Sequence, residues 1–175
     1  MHDPQVSQDA NQDTPKDALQ LATRMARGEL SAREALAQTL ARVERLNPRL
    51  NAIASLAPEL GYERAEQLDA ERAQCKNDSE LASLHARYPF FGVPLLLKDV
   101  GPATAHTRLP SRAFGPTGMA WPSDGTLTRR YLAAGFVPFG RSTSPEMGMS
   151  ASTEAVAYGG PTRNPHELSR SAGGS

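Results

Sequence analysis

The sequence predicts an α/β fold in which a helical N-terminal layer is followed by the start of a mixed sheet flanked by helices. Three observations carry this. Apolar residues recur at helical spacing between capping signals in the first half of the chain. From Phe90 onward the pattern changes to short apolar runs separated by Gly and Pro. Strand, helix and strand signals then follow one another, as in an α/β core.

The elements follow in order. Residues 1–13 are polar and aperiodic, which predicts a disordered tail, and residues 14–175 read as one unit. Thr14-Pro15-Lys16-Asp17 reads as an N-cap, a Pro at the first helical position and an acidic third residue. Ala18, Leu21, Ala22 and Met25 share a face, and Gly28 supplies the stop, giving a helix over 15–27. Ser31-Ala-Arg-Glu34 is a capping box, and Leu36, Leu40 and Val43 give a second helix over 32–46 that ends at Asn47-Pro48. Pro58 opens a charged stretch with a narrow stripe through Leu60, Ala65 and Leu68, predicted as a surface helix that Asn77-Asp78-Ser79 breaks. Phe91 to Leu97 and Phe136 to Phe139 read as buried strands. Between them Asp124 caps a helix over 126–134 that Gly135 terminates.

Composition removes several function classes. Lys plus Arg equals Asp plus Glu at 19 each, with neither sign gathered in a block, so neither nucleic acid nor an anionic membrane is an expected partner. No apolar run approaches transmembrane length. The single cysteine, Cys75, has no internal disulfide partner, and the N-terminus lacks a basic and apolar leader, which makes a cytoplasmic protein the expectation. His85, His106 and His166 are scattered without metal spacing and read as ordinary loop or surface histidines. Trp121 and the Phe90-Phe91 pair read as packing.

Lys98 stands apart. Only Lys16, Lys76 and Lys98 are lysines in a chain rich in arginine, and Lys98 follows Leu95-Leu96-Leu97 and precedes Asp99. The bland reading is an exposed lysine paired with its neighbouring aspartate. The sharper one is an amine at the carboxyl end of a strand, where α/β folds gather their chemistry. An amine can give up its proton and act as a base, which a guanidinium cannot.

Five segments in order resemble the amidase signature family: Gly28 to Glu34 with Leu46 to Ala52, Phe91-Gly-Val-Pro-Leu-Leu-Leu-Lys-Asp99, Asp124 through Ala134-Gly135 to Gly140-Arg-Ser-Thr-Ser-Pro-Glu146, Tyr158-Gly-Gly-Pro-Thr-Arg-Asn-Pro165, and Ser169-Arg-Ser-Ala-Gly-Gly-Ser175. The resemblance implies the N-terminal part of an amidase fold and amide hydrolysis through a Ser–cis-Ser–Lys triad with an acyl-enzyme intermediate. Carried over by motif, Lys98 is the base and Ser175 the bridging serine. No cofactor or metal is implied, and the substrate is a small-molecule amide.

The family's nucleophile lies downstream of this motif and has no counterpart here, since Ser169 and Ser171 precede the signature glycines. The 175-residue chain is therefore expected to be truncated and inactive alone, to expose sheet edges through which it self-associates, and to have a trans Gly174–Ser175 bond or a disordered terminus. Two alternatives stand beside this. One is a non-catalytic fragment or interaction module, and the other is the amide-transfer subunit of a tRNA amidotransferase. Thr143 and Met147, where many relatives have Asn and Phe, count against the second. The combination of Leu95-Leu-Leu-Lys-Asp99, Arg141-Ser-Thr-Ser-Pro-Glu146 and Thr153-Glu154 looks closer to hydrolases of linear or cyclic aminohexanoate amides.

Overall fold

The computed structural model describes residues 17–104, 113 and 121–174. Its elements run α1 (Ala18–Ala26), α2 (Ala32–Leu50), β1 (Ile53–Leu56), α3 (Pro58–Ala73), α4 (Asp78–Arg87), β2 (Pro94–Lys98), α5 (Thr126–Ala133), β3 (Val137–Ser142), two short 3-10 turns at Glu146–Gly148 and Val156–Tyr158, β4 (Arg163–Asn164) and β5 (Glu167–Ser171). The main sheet has the order β1-β3-β2, with β2 parallel and β1 antiparallel to β3. A small antiparallel hairpin, β4-β5, lies after it in sequence. The expected α/β class with a partial mixed sheet is what the chain forms.

Local chemistry explains where the elements differ from expectation. The first helix starts at Ala18, because Asp17 is extended and its side chain accepts from the Gln20 N–H at 2.8 Å, making it the N-cap and not a residue of the first turn. The expected cap at Thr14 and the tail over 1–13 lie outside the described residues. The Ser31–Glu34 capping box forms as read, and Asp69 of α3 adds to it by accepting from the N–H groups of Ala32 and Arg33.

The second helix does not stop at Asn47-Pro48 but continues to Leu50. Pro48 sits in the last turn, where its missing N–H removes a single helical bond. Asn47 then secures the exit, its side chain accepting from the N–H groups of Ala52 and Ile53 at 2.8 and 3.0 Å, while Asn51 closes the helix at φ 50°. This sharp exit launches β1, which interrupts the helical layer and has no strong signal of its own in four residues. The helix α3 ends at Ala73 with Gln74 as its C-cap, ahead of the expected break at Asn77-Asp78-Ser79; the Asn77 side chain instead accepts from the Glu80 N–H at 3.0 Å and starts α4, a helix that a break does not reveal. Asp124 does not cap α5. The cap position belongs to Gly125, whose N–H donates to Ala103 O at 3.0 Å, and the Thr128 hydroxyl reaches the same carbonyl at 2.7 Å.

The core lies between α1, α2, α3 and the sheet, around Met25, Leu36, Leu68, Phe91, Val137 and Phe139. The helix α3 is therefore not a surface helix: Gly61, Ala65 and Leu68 bury a stripe against β3 and α2. Gly61 marks the closest approach. A Cβ there would lie 2.8 Å from Phe139 Cβ and 2.9 Å from Leu36 Cδ2. Overpacking of this kind costs about 1–3 kcal/mol, which outweighs the roughly 1 kcal/mol an alanine gains in a helix. Gly61→Ala is expected to lower the denaturant midpoint, and a raised midpoint would show that the α3–β3 interface yields.

The strands are displaced from their expected limits. Phe91 is in the core, but Gly92 turns at φ 72° and β2 begins only at Pro94. Because β2 occupies the edge of the sheet, Leu97 is its one fully buried residue, so the strand is less buried than its leucines suggest. Phe90 stacks on Phe136 with ring centroids 4.5 Å apart, in keeping with a packing role. Among the described residues no helix is long and apolar enough to cross a membrane.

Candidate active site

Lys98 is the last residue of β2, half-buried, and paired in register with Ser142 at the end of β3. It lines an open cleft of about 320 Å³ together with Ser142, Thr143, Ser144, Thr153 and the Ala172-Gly173-Gly174 loop. The base read from the sequence thus shares a cavity with the glycines of the signature motif. Ser175, the bridging serine of that reading, lies outside the described residues, as do the Gly174–Ser175 bond and His106.

Hydroxyls hold the glycine loop against the end of the sheet. Thr153 Oγ1 donates to Gly173 O at 2.7 Å, and Ser171 Oγ accepts from the N–H of Gly173 at 3.2 Å. Ala172 N–H donates to Thr162 O at 2.9 Å, and the Thr162 hydroxyl donates to Asn51 O at 2.7 Å, at the helical exit that begins β1. Thr143 joins this strap through Thr162 Oγ1 at 2.8 Å. Gly174 packs so closely on the Pro145 ring that a Cβ has no room. Ser171 is therefore a loop brace, and Ser169 is bonded to Glu167 on the exposed hairpin.

Beneath Lys98 runs a buried polar network. Arg141, fully buried on β3, donates through Nη1 to the carbonyls of Lys98 and Asp99 at 3.0 and 3.3 Å. Its Nη2 donates to Pro102 O at 3.0 Å and to Thr104 Oγ1 at 2.9 Å. The guanidinium thus clips together the turn that leaves the lysine. Burial lowers its pKa from the ordinary value, and the Asp99 carboxylate opposes that fall. Asp99 is 1% exposed, and its Oδ2 accepts from Tyr158 Oη and Ala113 N–H, each at 2.8 Å. The bland reading of a solvent-exposed Lys98–Asp99 pair does not hold, since Asp99 faces inward. Burial pushes the Tyr158 phenol up to about 12, with Ser144 opposing the rise and Asp99 adding to it.

Arg141, Tyr158 and Ser144 escape a reading of the sequence. An arginine following the apolar run Phe136 to Gly140 is the one usable signal, because a cation there must be satisfied from within the fold. His85 lies away from this site, edge-on to Phe91, and burial lowers its pKa. His166 is exposed. The described residues contain no group of three His, Cys, Asp or Glu able to hold a metal.

Comparison with known proteins agrees with this architecture. The family model described as Amidase matches residues 34–175. A 6-aminohexanoate-cyclic-dimer hydrolase of Paenarthrobacter ureafaciens is 38% identical over 162 residues, covering 91% of this chain and 29% of the relative. A glutamyl-tRNA(Gln) amidotransferase subunit of Salinispora arenicola is 36% identical over 167 residues, covering 93% of this chain and 31% of that protein. The solved structure of a 6-aminohexanoate cyclic dimer hydrolase complexed with substrate superposes with a TM-score of 0.75 at 33% identity, over 93% of this chain and 30% of its own. The chain thus spans about 30% of the length of these three relatives, and over that span its sequence and its fold agree with theirs: it belongs to the amidase signature family.

Proposed function

We propose that this chain contributes the base side of an amidase site that hydrolyses a small-molecule amide, with Lys98 as the base and Ser175 as the bridging serine of a Ser–cis-Ser–Lys triad. The observation that carries the reading is that the half-buried Lys98 and Gly173-Gly174 line one cleft. In this scheme a neutral Lys98 takes a proton from Ser175, which takes one from a nucleophilic serine as that serine attacks the amide carbonyl. Both hydrolysis and transfer of amide groups are represented among the relatives. Hydrolysis is favoured here because the resemblance read from Thr143 and Met147 runs against the transferase branch. A reducing cytoplasm suits the unpaired Cys75.

No residue of the 175 matches the motif position of the family's nucleophile, so the chain by itself is expected to release no ammonia or amine from simple amides. It is also expected to associate through the β2 edge and the exposed Leu56, Met149 and Val156. Turnover by the purified chain would overturn the first expectation, and a monomer with a sharp cooperative melt the second. The direct functional test is a chimera in which these residues replace the matching segment of the Paenarthrobacter hydrolase. Hydrolytic opening of the cyclic dimer to the linear dimer supports the reading, and a folded but inert chimera contradicts it.

A further inference from the structure

The hydrogen bonds beside the Lys98 cleft have a fixed direction. Asp99, buried next to the Arg141 guanidinium, accepts through Oδ2 from both Tyr158 Oη and the Ala113 N–H. Tyr158 has one hydroxyl proton, and it goes to Asp99 Oδ2 at 2.8 Å. With that proton committed, Tyr158 can only accept at its other contact, Ser144 Oγ at 3.3 Å. Ser144 is itself 1% exposed, and Tyr158 is the one hydrogen-bond partner of its hydroxyl among the described residues. Its proton is therefore directed to Tyr158, and its two lone pairs are the acceptors left to a hydroxyl whose residue lines the Lys98 cleft.

We infer that the Asp99–Tyr158–Ser144 chain makes Ser144 a one-way acceptor in the Lys98 cleft, a positioning residue that engages N–H donors and turns away carbonyl oxygens. The donor is either the Lys98 amine or the N–H of an amide substrate. A burial-raised phenol keeps the chain intact at neutral pH, since Tyr158 holds its proton there. The use of this acceptor in amide chemistry rests on the proposed function. The direction of the chain does not.

The test reads that direction without turnover, so an inert protein leaves it standing. Tyrosine is replaced throughout by 3,5-difluorotyrosine, whose more acidic phenol titrates within a measurable range, and the four sites Tyr62, Tyr88, Tyr131 and Tyr158 are followed by fluorine NMR, with Tyr158→Phe as the assignment control. If Ser144 donates to Tyr158, Ser144→Ala removes a donor from the phenolate and raises the Tyr158 midpoint by about one pH unit, while Ser144→Thr leaves it in place. A midpoint that falls or stays still in Ser144→Ala overturns the inference. Should that variant unfold, the four resonances converge, and Ser144→Cys replaces it, its weakly donating thiol giving a smaller rise.

The donor is identified by labelling lysine Nζ with nitrogen-15, which gives signals only from Lys16, Lys76 and Lys98. A Lys98 resonance that moves in Ser144→Ala without ligand identifies the amine. A response to acetamide that Ser144→Ala removes identifies the substrate amide. If neither occurs, the acceptor role in the cleft is wrong even where the chain direction holds.

Discussion

In the chimera described above, Lys98→Arg is expected to lower kcat by about 10²- to 10⁴-fold while leaving KM within a few-fold, because it removes a general base and little of the binding surface. The change keeps the positive charge that a surface lysine would carry, so a lysine that served only as a surface cation would tolerate it. A base would not, since a guanidinium stays protonated at any pH the protein survives. The backbone of residue 98 is held through Arg141 Nη1 on its carbonyl and by pairing with Ser142, contacts that do not involve the replaced side chain. Loss of folding is therefore not the expected route to inactivity, and circular dichroism with a melt on the same sample separates the two. Retained turnover in Lys98→Arg would remove Lys98 from the chemistry.

The second large effect belongs to Arg141. Replacing it with Met leaves the carbonyls of Lys98, Asp99 and Pro102 and the hydroxyl of Thr104 without these donors, and leaves the buried Asp99 without its neighbouring cation. Removing one partner from a buried ionic network costs about 3–5 kcal/mol, a large part of the roughly 5–15 kcal/mol that keeps a domain folded. Arg141→Lys keeps the charge but cannot span four acceptors from two nitrogens, so it is expected to recover only part of that loss. Denaturant unfolding of the three proteins gives the order wild type, Lys, Met. A loss below about 1 kcal/mol in Arg141→Met would mean that water or a neighbouring side chain replaces the guanidinium.

The sequence was most legible where one residue type has one physical use. The Ser31–Glu34 box, the stop at Gly135 and the placement of Lys98 at a strand end all follow from local chemistry, and each is found. It was least legible where a residue has two uses. Asn77 reads as a helix breaker, yet α3 has already ended at Ala73 and the Asn77 side chain caps the start of α4. Pro48 is a helix breaker in isolation, yet the bonds Asn47 makes beyond the helix outweigh it. The stripe on α3 was underestimated because Gly61 contributes to packing through the absence of a side chain, which hydrophobic patterning does not count.

The site follows the same rule. Lys98 and the glycine loop were readable because scarce lysine and a Gly-Gly motif are each local features. The network of Arg141, Asp99, Tyr158 and Ser144 joins residues up to 59 positions apart through single polar atoms, and no spacing in the sequence announces it.

The most direct measurement of the central claim is the separation of Lys98 Nζ and Ser175 Oγ in a crystal structure of the chimera. With Lys98 as the base and Ser175 as the bridging serine, the two atoms lie within about 3.2 Å, the range in which a proton passes between them. An amine turned into bulk solvent, away from Gly173-Gly174 and from Ser175, would contradict the account.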